Sequence, residues 1–181
     1  YYYWIRSNCG SSYSDWTASA NFTTTCAALV APVTESFDGT STPSCWSISA
    51  NTGGPWVFNG SAFWNTNGCA GSPSDNTGNS GSYAALDFSN ASGDDTQVIL
   101  ESPEIDVSAL TTPYLKFFFF FCSNGYTPPN ELYVEAYDGS SWSQVALINS
   151  GSGSWAAYGY DVSSNVYNTD IVKIRFRAED G

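Results

Sequence analysis

The segment Glu101-Ser102-Pro103-Glu104-Ile105-Asp106 comes nearest to a catalytic arrangement in this chain. Glycoside hydrolysis needs two carboxylates at a defined separation across the scissile bond, and acids spaced Glu-x-Asp-x-x-Glu along one strand could supply them. Alternation puts Glu104 and Asp106 on one face. However, Val107, Ser108, Ala109 and Leu110 supply no third acid, and Pro103 interrupts the strand between Glu101 and Glu104. What remains is polar residues at a strand end. The chain has no histidine, which removes the Ser-His-Asp triad, the HExxH zinc site and most general-base schemes near neutral pH. An independent hydrolase is disfavoured.

Seventeen acids against five bases give a net charge of −12. Lys116, Lys173, Arg6, Arg175 and Arg177 cannot form a broad basic stripe, so nucleic acid is not an expected partner. Clustered carboxylates suit divalent cations; a solvated acidic surface that keeps the protein soluble explains the same charge. Glu35, Asp38, Asp75, Asp94, Asp95 and Asp180 are candidate calcium oxygens. Calcium takes about six to eight oxygens and no EF-hand spacing occurs, so any site must gather distant segments. The competing reading has Asp75 capping a turn and Asp94-Asp95 in an exposed loop. Glu131 and Glu135 share one strand face with Tyr133 between them, by default a solvent-facing stripe. Trp64, in a loop, and Trp142 and Trp155, after serine-rich turns, are candidate sugar-stacking platforms, with ordinary packing as the alternative.

The elements that must position these residues read as strands. Aromatic and β-branched residues recur in short runs between Gly, Asn, Ser and Asp clusters. Two runs, Tyr1 to Arg6 and Ala18 to Thr24, flank a turn-rich stretch and are too little for a stable domain by themselves. Further strand candidates are Trp56 to Phe58, Tyr83 to Phe88, Gln97 to Glu101, Tyr114 to Cys122, Glu131 to Tyr137, Trp142 to Ile148, Ala156 to Asp161 and Asp170 to Ala178. Asp138-Gly139 is a strong hairpin signal. The run Phe117 to Phe121 would face both sides of its strand, as a central strand of a two-layer sandwich does. Residues 59–82 hold ten Gly or Asn among twenty-four, which marks a long loop, where function tends to sit. No apolar run reaches the ~18 residues that span a bilayer, so membrane insertion is not expected.

Two families are resembled. Tyr3-Trp4-Ile5-Arg6-Ser7-Asn8-Cys9-Gly10, Ser14-Asp15-Trp16 and Phe22-Thr23-Thr24 resemble the closing strands of a bacterial fibronectin type III domain. Residues 35–181 resemble a MAM domain, the module shared by meprin, the A5 antigen and receptor phosphatase mu. The matching pieces are Glu35-Ser36-Phe37-Asp38, Cys45-Trp46, Trp56 after Gly-Gly, and Asp75-Asn76-Thr77 with Gly81-Ser82-Tyr83. Leu100-Glu101-Ser102-Pro103, Tyr114-Leu115-Lys116-Phe117 and Ile174-Arg175-Phe176-Arg177-Ala178 complete the series. Family members usually continue past this piece into a Gly-Asp-Ile-Ala-Ile-Asp-Asp-Ile-like strand; here the chain stops at Glu179-Asp180-Gly181, so the domain is expected to be cut short before that strand.

The resemblance implies an all-β fold: a jelly-roll β-sandwich over residues 26–181 preceded by part of a fibronectin type III sandwich over residues 1–25. It implies core positions for Trp46 and Trp56, and a structural calcium near the first strand and the late acidic loop. Glu35, Asp38, Asp75 and Asp180 are the ligands it favours. It pairs Cys26 with Cys45 and Cys69 with Cys122, and leaves Cys9 for a cysteine upstream. A Cys9–Cys26 bridge that frees Cys45 is the rival, and spacing does not decide between them. With no methionine and an odd cysteine count, the chain is expected to be a segment of a longer protein. The expected function is a non-catalytic recognition or adhesion module of a large secreted or surface bacterial protein, as in those of the type IX secretion route. Its partners would be an extracellular protein or glycan and neighbouring domains. The alternative is a carbohydrate-binding accessory module of a secreted polysaccharide-degrading enzyme or protease.

Overall fold

A computed structural model describes residues 2–21, 26–50, 56–58, 73–77, 81–86, 88, 97–122, 129–168 and 170–180. The fold is all-β. Eleven strands are described: β1 (Tyr2–Tyr3), β2 (Ala20–Asn21), β3 (Leu29–Val30), β4 (Ser47–Ala50), β5 (Gln97–Glu101), β6 (Ile105–Asp106), β7 (Tyr114–Cys122), β8 (Glu131–Tyr137), β9 (Trp142–Ile148), β10 (Ser152–Asp161) and β11 (Ile171–Glu179).

The larger sheet runs β9-β8-β11-β5-β4 with antiparallel neighbours throughout. β6 joins the start of β11, and β3 adds to β6 in parallel. Period-2 alternation sends Val98, Leu100, Leu132, Val134, Ile174 and Ala178 to one face, where all are buried. β7 and β10 form a second, antiparallel sheet, in register from Tyr114↔Asp161 to Phe120↔Trp155. Leu115, Phe117 and Phe119 on β7 pack onto the buried cluster of the larger sheet, so the two sheets share one core. The Phe117 ring meets Phe176 edge-on at 5.1 Å and stacks on Tyr158 at 5.5 Å. Among the described residues β7 pairs with β10 alone. The central position expected from its composition is thus not seen among the described residues. Phe118, on the outer face, is 49% exposed.

Trp46 and Trp56 belong to the core, with Phe37 between Trp46 and Phe58. Residues 2–21 form a separate hairpin. Tyr2 pairs with Asn21 and Asn8 with Tyr13, and Arg6 lies between the rings of Tyr13 and Trp16. Gly10 takes φ +84° at its tip, a conformation that glycine adopts without strain.

Cys26 and Cys45 are bonded, with their Cα atoms 5.8 Å apart. This is the pairing that the MAM resemblance implied; it excludes Cys9–Cys26 and leaves Cys9 as an exposed thiol. Cys69 lies outside the described residues, as does the side chain of Cys122. The Cys26–Cys45 bridge links positions 19 apart in sequence, and closing such a loop restricts the unfolded chain by about 3 kcal/mol. Replacing both cysteines by serine should therefore lower the unfolding free energy by about that amount, read as a lower denaturant midpoint with a slope that holds or rises as the uncrosslinked chain expands. An unchanged midpoint would show that the bridge restrains nothing that folds with the core.

Candidate ligand-binding site

The outer face of the larger sheet carries the chemistry. β11 alternates Val172, Ile174, Phe176 and Ala178 toward the core with Lys173, Arg175, Arg177 and Glu179 outward. Register then sets what each cation meets. Lys173 lies beside Tyr137, Arg175 between Glu135 and Glu101, and Arg177 between Tyr133 and Ile99. Glu135 is only 7% exposed. Its Oε2 accepts from Arg175 Nε at 2.6 Å and from Arg177 Nε at 3.1 Å, and its Oε1 accepts from Arg177 Nη2 at 3.3 Å. Arg177 also pairs with Glu179, and Lys173 with Glu101. The guanidinium of Arg177 lies 3.9 Å from the Tyr133 ring centroid and that of Arg175 4.4 Å from the Trp142 ring. Burial would raise the Glu135 carboxyl, but the two guanidiniums outweigh it and hold it below the ordinary carboxylate range.

The stripe expected to be solvent-facing is therefore half wrong. Glu131 and Glu135 do share a face, but Glu135 is buried under its arginines. The reason is register: β8 and β11 are neighbours, and their outward rows bring acid opposite base.

At one end of this face a pocket of about 410 Å³ opens. Trp142, Tyr137 and Tyr167 give it aromatic walls, and Glu101, Glu104 and Lys173 give it polar ones. The Asp138-Gly139 turn makes Tyr137 and Trp142 a closing pair of the β8–β9 hairpin, 5.3 Å apart between ring centroids. Asp138 Oδ1 accepts the backbone N–H groups of Ser140 and Ser141, which push its carboxyl down to about 2 and fix the turn. Gly139 has φ +91°, and a Cβ there would come within 2.9 Å of Tyr167 Cβ. Tyr167 is held by reciprocal backbone bonds with Ile171 and packs edge-on against Tyr137 at 5.3 Å. Its hydroxyl donates to Glu104 Oε1 at 3.0 Å. Burial first, then that bond, pushes the phenol up to about 12, so it stays a donor at any working pH. Among the described residues, a hollow of about 600 Å³ on the hairpin is lined by Trp4, Trp16 and Thr17, which offer one hydroxyl and no charge with which to orient a ligand.

No protein-family model, curated protein or solved structure matches this chain.

Of the residues singled out from sequence, Trp142 lines the pocket and Trp64 lies outside the described residues. Trp155 is half-buried on β10 rather than presented as a platform. Its indole Nε1 donates to Ser74 O at 2.9 Å, and its ring meets Tyr83 and Phe120 edge-on. That bond ties the segment carrying Asp75 to the second sheet.

Asp38 and Asp75 are brought together. Asp38 Oδ1 and Asp75 Oδ2 both fall within 3.1 Å of the point where a Cβ on Gly81 would stand. Asp38 Oδ1 accepts from Ser82 N at 3.1 Å, and Asp75 Oδ2 accepts from the Thr77 hydroxyl. Glu35 lies three residues before Asp38, its Oε1 accepting from Phe37 N at 2.8 Å. Asp180 is half-buried just past β11. Among the described residues no three acidic, histidine or cysteine side chains gather as a metal-binding group. The Asp38 and Asp75 carboxylates are hard oxygen donors of the kind calcium prefers, two of the about six to eight oxygens it takes. Asp94 and Asp95 lie outside the described residues.

Tyr137, Tyr167 and Lys173 escaped the sequence reading, and Glu101 and Glu104 entered it only as failed catalysts. The Asp138-Gly139 hairpin was the available signal, because it forces Tyr137 beside Trp142. Nothing local brings in Tyr167 or Lys173.

Proposed function

We propose that this chain is a non-catalytic recognition module of an extracellular multidomain protein, a MAM-like jelly-roll sandwich following the closing strands of a fibronectin type III unit. The observation that carries this reading is the outer sheet face. A buried carboxylate is committed there to holding two arginines, next to a pocket walled by aromatic rings and charged groups. Solvent-facing sheet surfaces need no such order, whereas rigid, partly desolvated aromatic and arginine side chains are what binding surfaces use. Catalysis is disfavoured because Glu104 is exposed and Glu101 is paired with Lys173. A general acid for glycoside cleavage needs a sequestered carboxyl. The disulfide fits an oxidising compartment, and no helix among the described residues is long and apolar enough to cross a membrane.

The carbohydrate-binding accessory module is the second reading, favoured by Trp142 in the pocket wall. Affinity electrophoresis against soluble polysaccharides, and retention on extracellular-matrix protein, each paired with a reducing-end assay, test both. Retention without new reducing ends is expected. Failure of retention on every support overturns the recognition reading, and release of reducing ends overturns its non-catalytic part.

Calcium is assigned to the Asp38–Asp75 pair in this reading. A ligand bound only by the folded state stabilises it by mass action. Chelation should therefore lower the melting temperature by about several degrees, and Gly81→Ala, whose Cβ crowds both carboxylates, should abolish the chelator's effect. A melt indifferent to chelator removes calcium from the reading.

A further inference from the structure

We infer that the pocket between β8, β9 and the start of β11 binds a neutral saccharide, the polar wall gripping vicinal hydroxyls while the aromatic wall receives the apolar edge of a pyranose ring. The inference rests on the recognition reading above and names its ligand.

The size comes first. About 410 Å³ lies within the ~300–1,000 Å³ of small-molecule sites, too small for a folded partner to enter. The donors and acceptors come next. Glu101 and Lys173 are in direct contact and each is about one-quarter exposed, at 26% and 24% of side-chain surface. A carboxylate beside an ammonium presents an acceptor next to a donor. A pair of hydroxyls on adjacent carbons matches it, one giving its O–H to Glu101 and the other accepting N–H from Lys173. Glu104 adds a second acceptor, fixed in orientation by the Tyr167 hydroxyl. Aromatic walls complete the match, since pyranose C–H edges pack on such rings and hydrated polar chains do not. Arg175 lies over the Trp142 ring and pins it while itself bonded to Glu135.

Charge selects among saccharides. Among the described residues the polar wall holds two carboxylates and one ammonium, and the whole chain carries −12. Uronate and sulfated glycans are therefore repelled, both at long range and on contact. Neutral sugars are not.

The test uses the whole chain on an array of neutral oligosaccharides (gluco-, manno-, galacto- and xylo-series) beside polygalacturonate and heparin fragments, followed by calorimetric titration of the strongest neutral probe. Binding to neutral probes and rejection of the acidic ones is expected. Trp142→Ala should weaken the titrated affinity about fivefold by removing a wall worth about 1 kcal/mol. Gly139→Ala should do the same by displacing Tyr167. Tyr167→Phe keeps the ring but frees Glu104, and should cost a smaller factor, which covers the case where Gly139→Ala does not fold. Trp16→Ala, on the hairpin, should change nothing. Affinity that survives both Trp142→Ala and Tyr167→Phe, or a preference for acidic probes, overturns the assignment. Retention on protein supports with no saccharide bound also overturns it while leaving the recognition reading intact. Hydrolysis of a bound saccharide that Trp142→Ala weakens would instead overturn the non-catalytic reading and support the pocket.

Discussion

Phe117→Ala should destabilise the fold by about 3 kcal/mol, while Phe118→Ala, one residue away, should change stability by less than about 0.5 kcal/mol. The two side chains are identical and differ only in the side of β7 they occupy. Phe117 reaches the shared core, edge-on to Phe176 and stacked on Tyr158. Its removal opens a cavity between the two sheets that the rigid strands around it cannot close. Phe118 is 49% exposed, with Lys116 Nζ 5.8 Å from its ring centroid. Urea unfolding separates the two, with a midpoint that falls for the first variant and holds for the second at equal slopes. Equal losses, or a larger loss at Phe118, would place the register of β7 one residue off, because a one-residue slip exchanges the faces of every side chain in a strand.

That pair of variants isolates what composition could not say. Five phenylalanines in a row erase the period-2 pattern, so the strand was legible and its faces were not. Tertiary partners decide them: Phe117 pairs with Tyr158 and Phe118 with Ala157 on β10. The strands that could be read with their ends, such as β5, β8 and β9, are alternating runs closed by turn residues, and Asp138-Gly139 also gave the pairing of the last two. β4 was missed for a different reason. Ser47-Ile48-Ser49-Ala50 has weak strand propensity and is a strand because β5, some fifty residues on, supplies its partner. The break at Pro103 was visible locally, and the chain does leave the sheet between Glu101 and Ile105.

The site divides along the same line. Trp142 could be proposed from its place after a serine-rich turn. Cys26–Cys45 followed from the family resemblance rather than from spacing. Trp155 could not be read, because its partner Ser74 is 81 residues away. The burial of Glu135 required knowing that β11 lies beside β8. Once they are neighbours, an ordinary alternation of Lys173, Arg175 and Arg177 becomes the covering of a carboxylate.

That carboxylate is also where the sheet face is most vulnerable. Glu135→Ala leaves Arg175 and Arg177, whose side chains are 19% and 15% exposed, without their common acceptor. Breaking a fully buried ion pair costs about 3–5 kcal/mol. The arginines here can still reach water, so a loss of about 2–3 kcal/mol is expected, a fall of roughly 4–12 °C in melting temperature at neutral pH. The pH dependence identifies the cause. Although burial opposes it, the arginines hold the folded-state carboxyl below its ordinary value of 4.5. A depressed carboxylate contributes stability that is complete above the unfolded value and lost as pH falls through the folded one. Asp106, Asp138 and Asp161 are depressed as well by turn hydrogen bonds, so wild type and variant will both weaken in acid. Their difference cancels those groups and reports Glu135. It should be largest near neutral pH and shrink below about pH 4.5. A difference that stays constant with pH would mean that Glu135 matters for the space it fills, and the ion network would then not be what orders Arg175 over Trp142 at the mouth of the pocket.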